Sequence, residues 1–173
     1  GKLANRYFIQ EEWKSAYVLY QRLLEMAHES ERSIEFAERL YESGTKIKTL
    51  RWRSKDVVAI AEATHRYMTD WRLEKQDRDE AAKEFEVILR DLSTKLHVRA
   101  RNTRRRKGQQ GAVDGYSAYL RVYRGDTPFR PAILKNHAEA LYAAGDYFGA
   151  GHAYEELARR DKKTPLKHVH SAI

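Results

Sequence analysis

Residues 138–145 read AEALYAAG, and residues 37–44 read AERLYESG. The two octapeptides are identical at five of eight positions, which in the later copy are Ala138, Glu139, Leu141, Tyr142 and Gly145. Pro131 and Pro165 lie 34 residues apart, and Leu, Lys and His follow each proline within six residues. A period of 34 residues is typical of a fold made of repeated pairs of antiparallel helices.

Helical periodicity extends outward from these octapeptides. Apolar residues recur at i, i+3, i+4 and i+7 within 16–27, 81–92 and 150–158. Three prolines and nine glycines in 173 residues are too few for the many turns of an all-β protein, and no period-2 strand stands out. The sequence therefore predicts an all-α protein.

Composition and motifs exclude several kinds of function. Hydrophobic residues make up 42% and charged residues 34% of the chain, as in a globular protein rather than a disordered tail or a membrane span. Cysteine is absent, which excludes disulfides, thiolate zinc sites and cysteine nucleophiles. Nucleotide-binding, zinc-protease and nucleophile-elbow motifs are also missing. We expect no enzyme activity and no cofactor. We interpret His168–His170 as a solvated pair and His137–His152 as structural.

Small and large apolar residues alternate in a fixed register. Counting Pro131 as position 1, Ala138 and Ala150 fall at positions 8 and 20, and Tyr154 and Leu157 at 24 and 27. The same register fits Ala4, Trp13, Ala16, Tyr20 and Leu23, and more loosely Leu96, Ala100, Ala112, Tyr116 and Tyr119. The pattern resembles the tetratricopeptide repeat. The resemblance implies an α-solenoid of antiparallel helix pairs, in which residues 1–173 form a single domain cut from a longer array.

The register is irregular over residues 45–92. Either a long helix runs from about 46 to 72, or residues are missing after Gly44. Ser54 is predicted to cap a helix that extends to Trp71 and turns the Trp71 side chain inward. Ser93 is a candidate cap for a helix that ends at Lys107, and a turn is expected at 108–111.

Basic residues are concentrated in one run. Six cations occur in nine residues: Arg99, Arg101, Arg104, Arg105, Arg106 and Lys107. A second basic stretch has Lys or Arg at positions 46, 48, 51, 53 and 55. Three explanations of the run stay open. The cations could stabilise the negative end of a helix dipole, bind an acidic protein partner, or bind the phosphates of nucleic acid or lipid. No Phe, Trp or Tyr lies between Phe85 and Tyr116, which disfavours stacking of bases on this run.

The family resemblance also implies a peptide-binding concave face, lined by the first helix of each pair. Positions 2, 5, 6 and 9 of that helix are Ala132, Lys135, Asn136 and Glu139, and Asn5 is at position 9 of the first copy. The complete set of side chains that clamps chaperone C-termini is absent. We therefore expect a protein-interaction scaffold with an acidic protein or peptide partner. The alternative is a helical-repeat protein that binds nucleic acid through residues 99–107.

Residues 116–128 and 138–142 suggest a narrower resemblance. A Tyr-rich second helix, a Pro-containing loop and a 38-residue step from Ala112 to Ala150 are similar to repeats of bacterial cell-envelope proteins. These include outer-membrane assembly lipoproteins, periplasmic division-coordinating proteins and gliding-motility components. The resemblance favours the periplasm or the outer membrane over the cytoplasm.

Overall fold

The computed structural model describes residues 1–27, 29–103, 106–125 and 127–160. These residues form eight α-helices and no strand, which confirms the all-α prediction. The helices are α1 (Lys2–Ile9), α2 (Trp13–Met26), α3 (Ser33–Lys46), α4 (Ser54–Thr69), α5 (Lys75–Thr103), α6 (Arg106–Val122), α7 (Arg130–Ala144) and α8 (Tyr147–Arg160). Two compact units divide the chain, Gly1–Leu89 and a second that begins at Arg90.

In the first unit the helices α1 to α4 pack on one another in chain order. Helix α1 packs on α2, α2 on α3, and α3 on α4. Tyr20 is 1% exposed, and its ring contacts Phe8 and Phe36 at centroid distances of 6.3 Å. Ala16 and Ala37 are fully buried, as small side chains at a close helix crossing should be. Packing of successive neighbours is the arrangement of a helical-repeat solenoid.

The second unit repeats this arrangement. Helix α6 packs on α7, and α7 packs on α8. Ala138 and Ala150 are 0% and 1% exposed, and Leu157 is 2% exposed. Three of the register positions in α7 and α8 are therefore buried, whereas Tyr154 at position 24 is only half-buried.

Gly145 and Asp146 form the turn between α7 and α8. Gly145 ends α7 in the left-handed conformation, with φ at 88°, which glycine adopts without the steric cost of a Cβ. Asp146 Oδ1 accepts a hydrogen bond from the backbone N–H of Gly149 at 2.8 Å. Asp146 thereby satisfies one of the free donors at the start of α8.

The structure corrects the prediction around Gly44. Helix α3 continues through Gly44 to Lys46, residues 47–53 form an irregular connection, and α4 begins at Ser54. The single helix from 46 to 72 is therefore wrong. A Cβ at Gly44 would overlap the ring of Trp52 and lie 2.9 Å from Leu50. Gly44 lets Trp52 and Leu50 of the 47–53 connection pack closely against α3, and it does not form a turn.

Two boundaries near the basic run also differ from expectation. Ser93 is 0% exposed in the middle of α5, so it is not a helix cap. Residues 108–111 are helical within α6, so the expected turn there is wrong. A Cβ at Gly115 would lie 3.0 Å from Leu96 and 3.3 Å from Ser93. The small residues Ser93 and Gly115 thus allow α5 and α6 to approach closely.

Trp71 is 84% exposed, which contradicts its expected inward orientation. Helix α4 buries Val57, Ile60, Ala61 and Thr64 but ends at Thr69. Asp70 Oδ1 accepts hydrogen bonds from the backbone N–H of Arg72 at 3.0 Å and from its Nε at 2.9 Å. Such a local Asp turn competes with the helix, and Trp71 therefore leaves the helical register.

Candidate functional site

The hydroxyl of Tyr116 lies at the centre of a polar cluster formed by α5, α6 and α7. The Tyr116 side chain is fully buried, and its Oη lies 3.0 Å from Nδ1 of His97. Burial raises the pKa of Tyr116 to about 12, although hydrogen bonds with Thr94 and Asn136 lower it in part. The Tyr116 hydroxyl is therefore protonated at neutral pH, and it joins Asn136 of α7 to α5.

Charged side chains on two helices affect the pKa of His97. It is 7% exposed, and burial lowers its pKa below the ordinary value. Glu139 of α7 raises the pKa of His97, and Arg101 of α5 lowers it. Both charged side chains therefore lie near the imidazole, which is neutral at pH 7.

These contacts bring together Asn136 and Glu139, two of the residues that the repeat register selected in α7. In the looser copy, His97 and Arg101 stand at positions 5 and 9 of α5, as Lys135 and Glu139 do in α7. Residues four apart share one side of a helix. We call this surface the α5–α7 face, defined by His97, Arg101, Lys135, Asn136 and Glu139.

The α5–α7 face carries two available cations. Arg101 and Lys135 are exposed, and neither forms an ion pair with any residue that the structure describes. Asn136 and Glu139 are partly buried between them and the Tyr116 cluster. Sequence reasoning missed His97, although its place at position 5 of α5 was the signal that selects Lys135 in α7.

The two histidines that were considered as a pair have separate partners. His137 Nε2 lies 3.0 Å from Ser117 Oγ on α6, and burial lowers the pKa of His137. His152 lies on α8 beside Phe148, with a ring-centroid distance of 4.4 Å, and its Nδ1 is 3.7 Å from Glu155 Oε2. His168 and His170 lie outside the described residues.

The basic run is divided between two helices. Arg99 and Arg101 are exposed in the last part of α5, and Arg106 and Lys107 open α6. Arg104 and Arg105 lie outside the described residues. The expectation that the whole run occupies a helix C-terminus is therefore wrong. Residues two apart point to different sides of a helix, so Arg99 does not share the side of Arg101.

The second basic stretch is partly used within the first unit. Arg53 forms an ion pair with Asp56 at 3.2 Å, and Lys55 forms one with Glu25 at 2.7 Å. The cations at positions 46, 48 and 51 are exposed at the end of α3 and in the connection after it. Asn5 is exposed on α1 of this unit, away in sequence from the other selected residues.

Helix α3 carries charge of the opposite sign. Burial raises the pKa of Glu38 above its ordinary value, and the neighbouring carboxylates Glu84 and Glu42 raise it further. Glu38 follows Ala37 as Glu139 follows Ala138, so it occupies position 9 of α3. Position 9 is therefore acidic in α3 and α7, basic in α5 and neutral in α1, where it is Asn5.

No family model matches this chain, and neither a curated protein nor a solved structure matches it significantly. The family resemblance thus stays a prediction. Within the described ranges, no group of three or more His, Cys, Asp or Glu residues is placed to hold a metal ion. No helix among the described residues is long and apolar enough to cross a membrane.

Proposed function

We propose that this protein is a non-enzymatic helical-repeat scaffold, and that its α5–α7 face binds an acidic segment of a partner protein. The observation that supports this most is the pair of exposed cations, Arg101 and Lys135, on neighbouring first helices. Neither has an ion-pair partner among the described residues. Carboxylates of a partner would supply the missing counter-charges.

Binding would combine electrostatics with backbone recognition. The net charge of +8 draws acidic segments towards the protein and raises the association rate. Asn136 uses part of its hydrogen-bonding capacity on Tyr116. An amide group offers two donors and an acceptor, so Asn136 retains capacity for the backbone of a bound peptide. Glu139 would disfavour carboxylates beside it and so help to fix the register of the bound segment.

A photo-crosslinking residue in place of exposed Ala132 would capture the partner. The affinity of that partner is then measured for the parent protein and for charge-reversal variants. We expect Arg101→Glu with Lys135→Glu to weaken binding by roughly tenfold or more, because two attractive contacts become repulsive. Lys14→Glu is the matched control, since Lys14 is exposed on α2 and makes no ion pair with the described residues. Unchanged affinity in the double variant would refute the α5–α7 face as the site.

The rival function is binding of nucleic acid through residues 99–107. Titration with duplex and single-stranded DNA at increasing salt separates the two, because phosphate contacts weaken steeply with salt concentration. Loss of DNA binding by about 150 mM salt, with partner binding retained, would favour the scaffold. The assignments to the tetratricopeptide repeat and to the bacterial cell envelope rest on the sequence resemblance and stay predictions.

A further inference from the structure

His97 is a buried imidazole with one ring nitrogen unused, and it belongs to the α5–α7 face. Its Nδ1 lies 3.0 Å from the Tyr116 hydroxyl of α6. Its Nε2 has no hydrogen-bond partner among the residues that the structure describes. The two ring nitrogens are distinct sites that point apart, so the contact at Nδ1 directs Nε2 away from Tyr116 and from α6.

The groups around His97 keep its imidazole neutral in the free protein. The ring is 7% exposed, and burial lowers its pKa because an imidazolium would lose its hydration there. From α7 the Glu139 carboxylate raises this pKa, and from α5 the Arg101 guanidinium lowers it. Tyr116 of α6 is protonated at pH 7, and His137 of α7 is neutral because burial lowers its pKa as well. A single carboxylate thus does not offset the burial of His97, and a second one would add to its effect.

The ring of His97 is held in one orientation beside a cation of the same helix. It meets the fully buried ring of Tyr116 edge-on, with a centroid distance of 5.5 Å and an angle of 88° between the planes. Arg101 lies one turn farther along α5 on the same side as His97. A carboxylate that pairs with Arg101 therefore comes within reach of His97. A nitrogen whose direction is fixed before binding also loses little entropy when a partner binds.

We propose that His97 is a binding residue of the α5–α7 face, and that it takes up one proton from solvent when an acidic partner segment binds. A partner carboxylate pairs with Arg101 and accepts a hydrogen bond from Nε2–H of the protonated ring. A hydrogen bond between two charged groups is about twice as strong as a neutral one. An acidic partner therefore binds more tightly as the pH falls. This inference rests on the proposed function of the α5–α7 face and adds the chemistry by which that face selects carboxylates.

The sign of the pH dependence follows from the two states of the ring. In the free protein the imidazole is neutral at any pH above its lowered pKa. An opposite charge within about 4–6 Å raises the pKa of a histidine by about 1–3 units. Binding takes up a proton between the free and the bound pKa, so the affinity rises about tenfold per pH unit across that interval as the pH falls. A backbone N–H that donates to Nε2 needs the neutral ring and gives the opposite sign.

The test measures the pKa of His97 by NMR in the full chain labelled with ¹³C-histidine, with the signal assigned from His97→Gln. The probe is the peptide acetyl-Glu-Glu-Ala-Glu-Glu-amide, whose side chains stay ionised above about pH 5.5. The neutral control is acetyl-Gln-Gln-Ala-Gln-Gln-amide. We expect the acidic peptide at saturation to raise the pKa of His97 by about one unit or more, and the neutral peptide to leave it unchanged. Calorimetry should show roughly tenfold tighter binding of the acidic peptide at about pH 5.5 than at about pH 8.

Variants assign the proton to His97. His97→Gln should bind the acidic peptide equally well at both pH values, because glutamine takes up no proton. His152→Gln is the matched control, since His152 is exposed on α8, and it should keep the full pH dependence. Circular dichroism checks that each variant is folded at both pH values, and the pKa of the parent chain gives a result even if a variant is not.

The outcomes separate this inference from the proposed function. If the acidic peptide binds and the pKa of His97 stays unchanged or falls, the role of His97 is overturned and the α5–α7 face stands. The role of His97 is also overturned if folded His97→Gln keeps the pH dependence of the parent. If the acidic peptide does not bind, or binds equally well to Arg101→Glu with Lys135→Glu, the face and the role of His97 are both overturned.

Discussion

Replacement of Asp56 by alanine should destabilise the first unit far more than removal of a neighbouring surface charge. Asp56 is 2% exposed on α4. Its carboxylate accepts hydrogen bonds from the Tyr17 hydroxyl at 2.8 Å, from Nε2 of Gln21 and from the backbone N–H of Arg53 at 3.2 Å. One side chain thus joins α2 to α4 and satisfies a donor at the start of α4.

The expected cost follows from what each donor loses. Tyr17 is 6% exposed, so its hydroxyl would be left buried without Asp56, at a cost of about 1–3 kcal/mol. Loss of the capping contact at the start of α4 costs about 1 kcal/mol. Gln21 and Arg53 are more exposed and can turn to water. The sum is a loss of roughly 2–4 kcal/mol of unfolding free energy.

Glu25→Ala is the matched control, because Glu25 also joins α2 to α4. It pairs with Lys55 at 2.7 Å, with side chains 48% and 56% exposed. Exposed ion pairs contribute about 0–1 kcal/mol, so this variant should unfold close to the parent.

Urea unfolding followed by tryptophan fluorescence measures both variants. The chain has three tryptophans, at positions 13, 52 and 71, and all of them lie in the first unit. The fluorescence therefore reports unfolding of that unit. The reasoning fails if Asp56→Ala and Glu25→Ala lose equal stability. It also fails if Tyr17→Phe and Asp56→Ala are additive when combined, since coupled partners should not be.

Three further perturbations test the packing. Burial lowers the pKa of His97 and His137 below 6.5, so the unfolded chain binds more protons and the second unit should lose stability as pH falls below about 6.5. Urea unfolding by circular dichroism at about pH 7.5 and 5.5 measures this loss, which His97→Gln and His137→Gln should reduce. Gly44→Ala should cost about 1–3 kcal/mol despite its better helix propensity, because the new methyl group overlaps Trp52; a stabilised variant in urea would contradict the packing. Ala150→Leu should overpack the α7–α8 crossing and cost roughly 1–3 kcal/mol, and an unchanged thermal midpoint would speak against that crossing.

Much of the fold was predictable because helical repeats encode packing at fixed spacing. Ala138, Ala150 and Leu157 were assigned to the core from their register, and each is at most 2% exposed. The turn at Gly145 and Asp146 was predictable for a similar reason, since its chemistry lies within a few neighbouring residues. Local signals of this kind need no knowledge of the tertiary structure.

The role of a glycine could not be predicted from its neighbours in the sequence. Gly44 and Gly145 close the same octapeptide, yet Gly145 ends a helix and Gly44 lies inside one. The difference is Trp52, eight residues beyond Gly44, whose ring occupies the space that a Cβ would need. Gly115 likewise allows α5 and α6 to pack closely, because it has no side chain. A sequence motif carries no record of such tertiary contacts.

The candidate site was predictable in its positions and not in its chemistry. The register placed Lys135, Asn136 and Glu139 on one helix face. It gave no sign that Asn136 of α7 and His97 of α5 would both contact the Tyr116 hydroxyl of α6. The exposure of Trp71 was not predictable from the spacing, because α4 ends at Thr69, two residues before Trp71.

The division of the basic run changes what its charges can explain. Cations in the last turn of a helix stabilise it through the dipole, and this reason holds for Arg101 in the last turn of α5. Arg106 and Lys107 instead open α6, where a positive charge meets the positive end of the dipole and costs stability. Helix stability alone thus gives no reason for cations on both sides of this boundary.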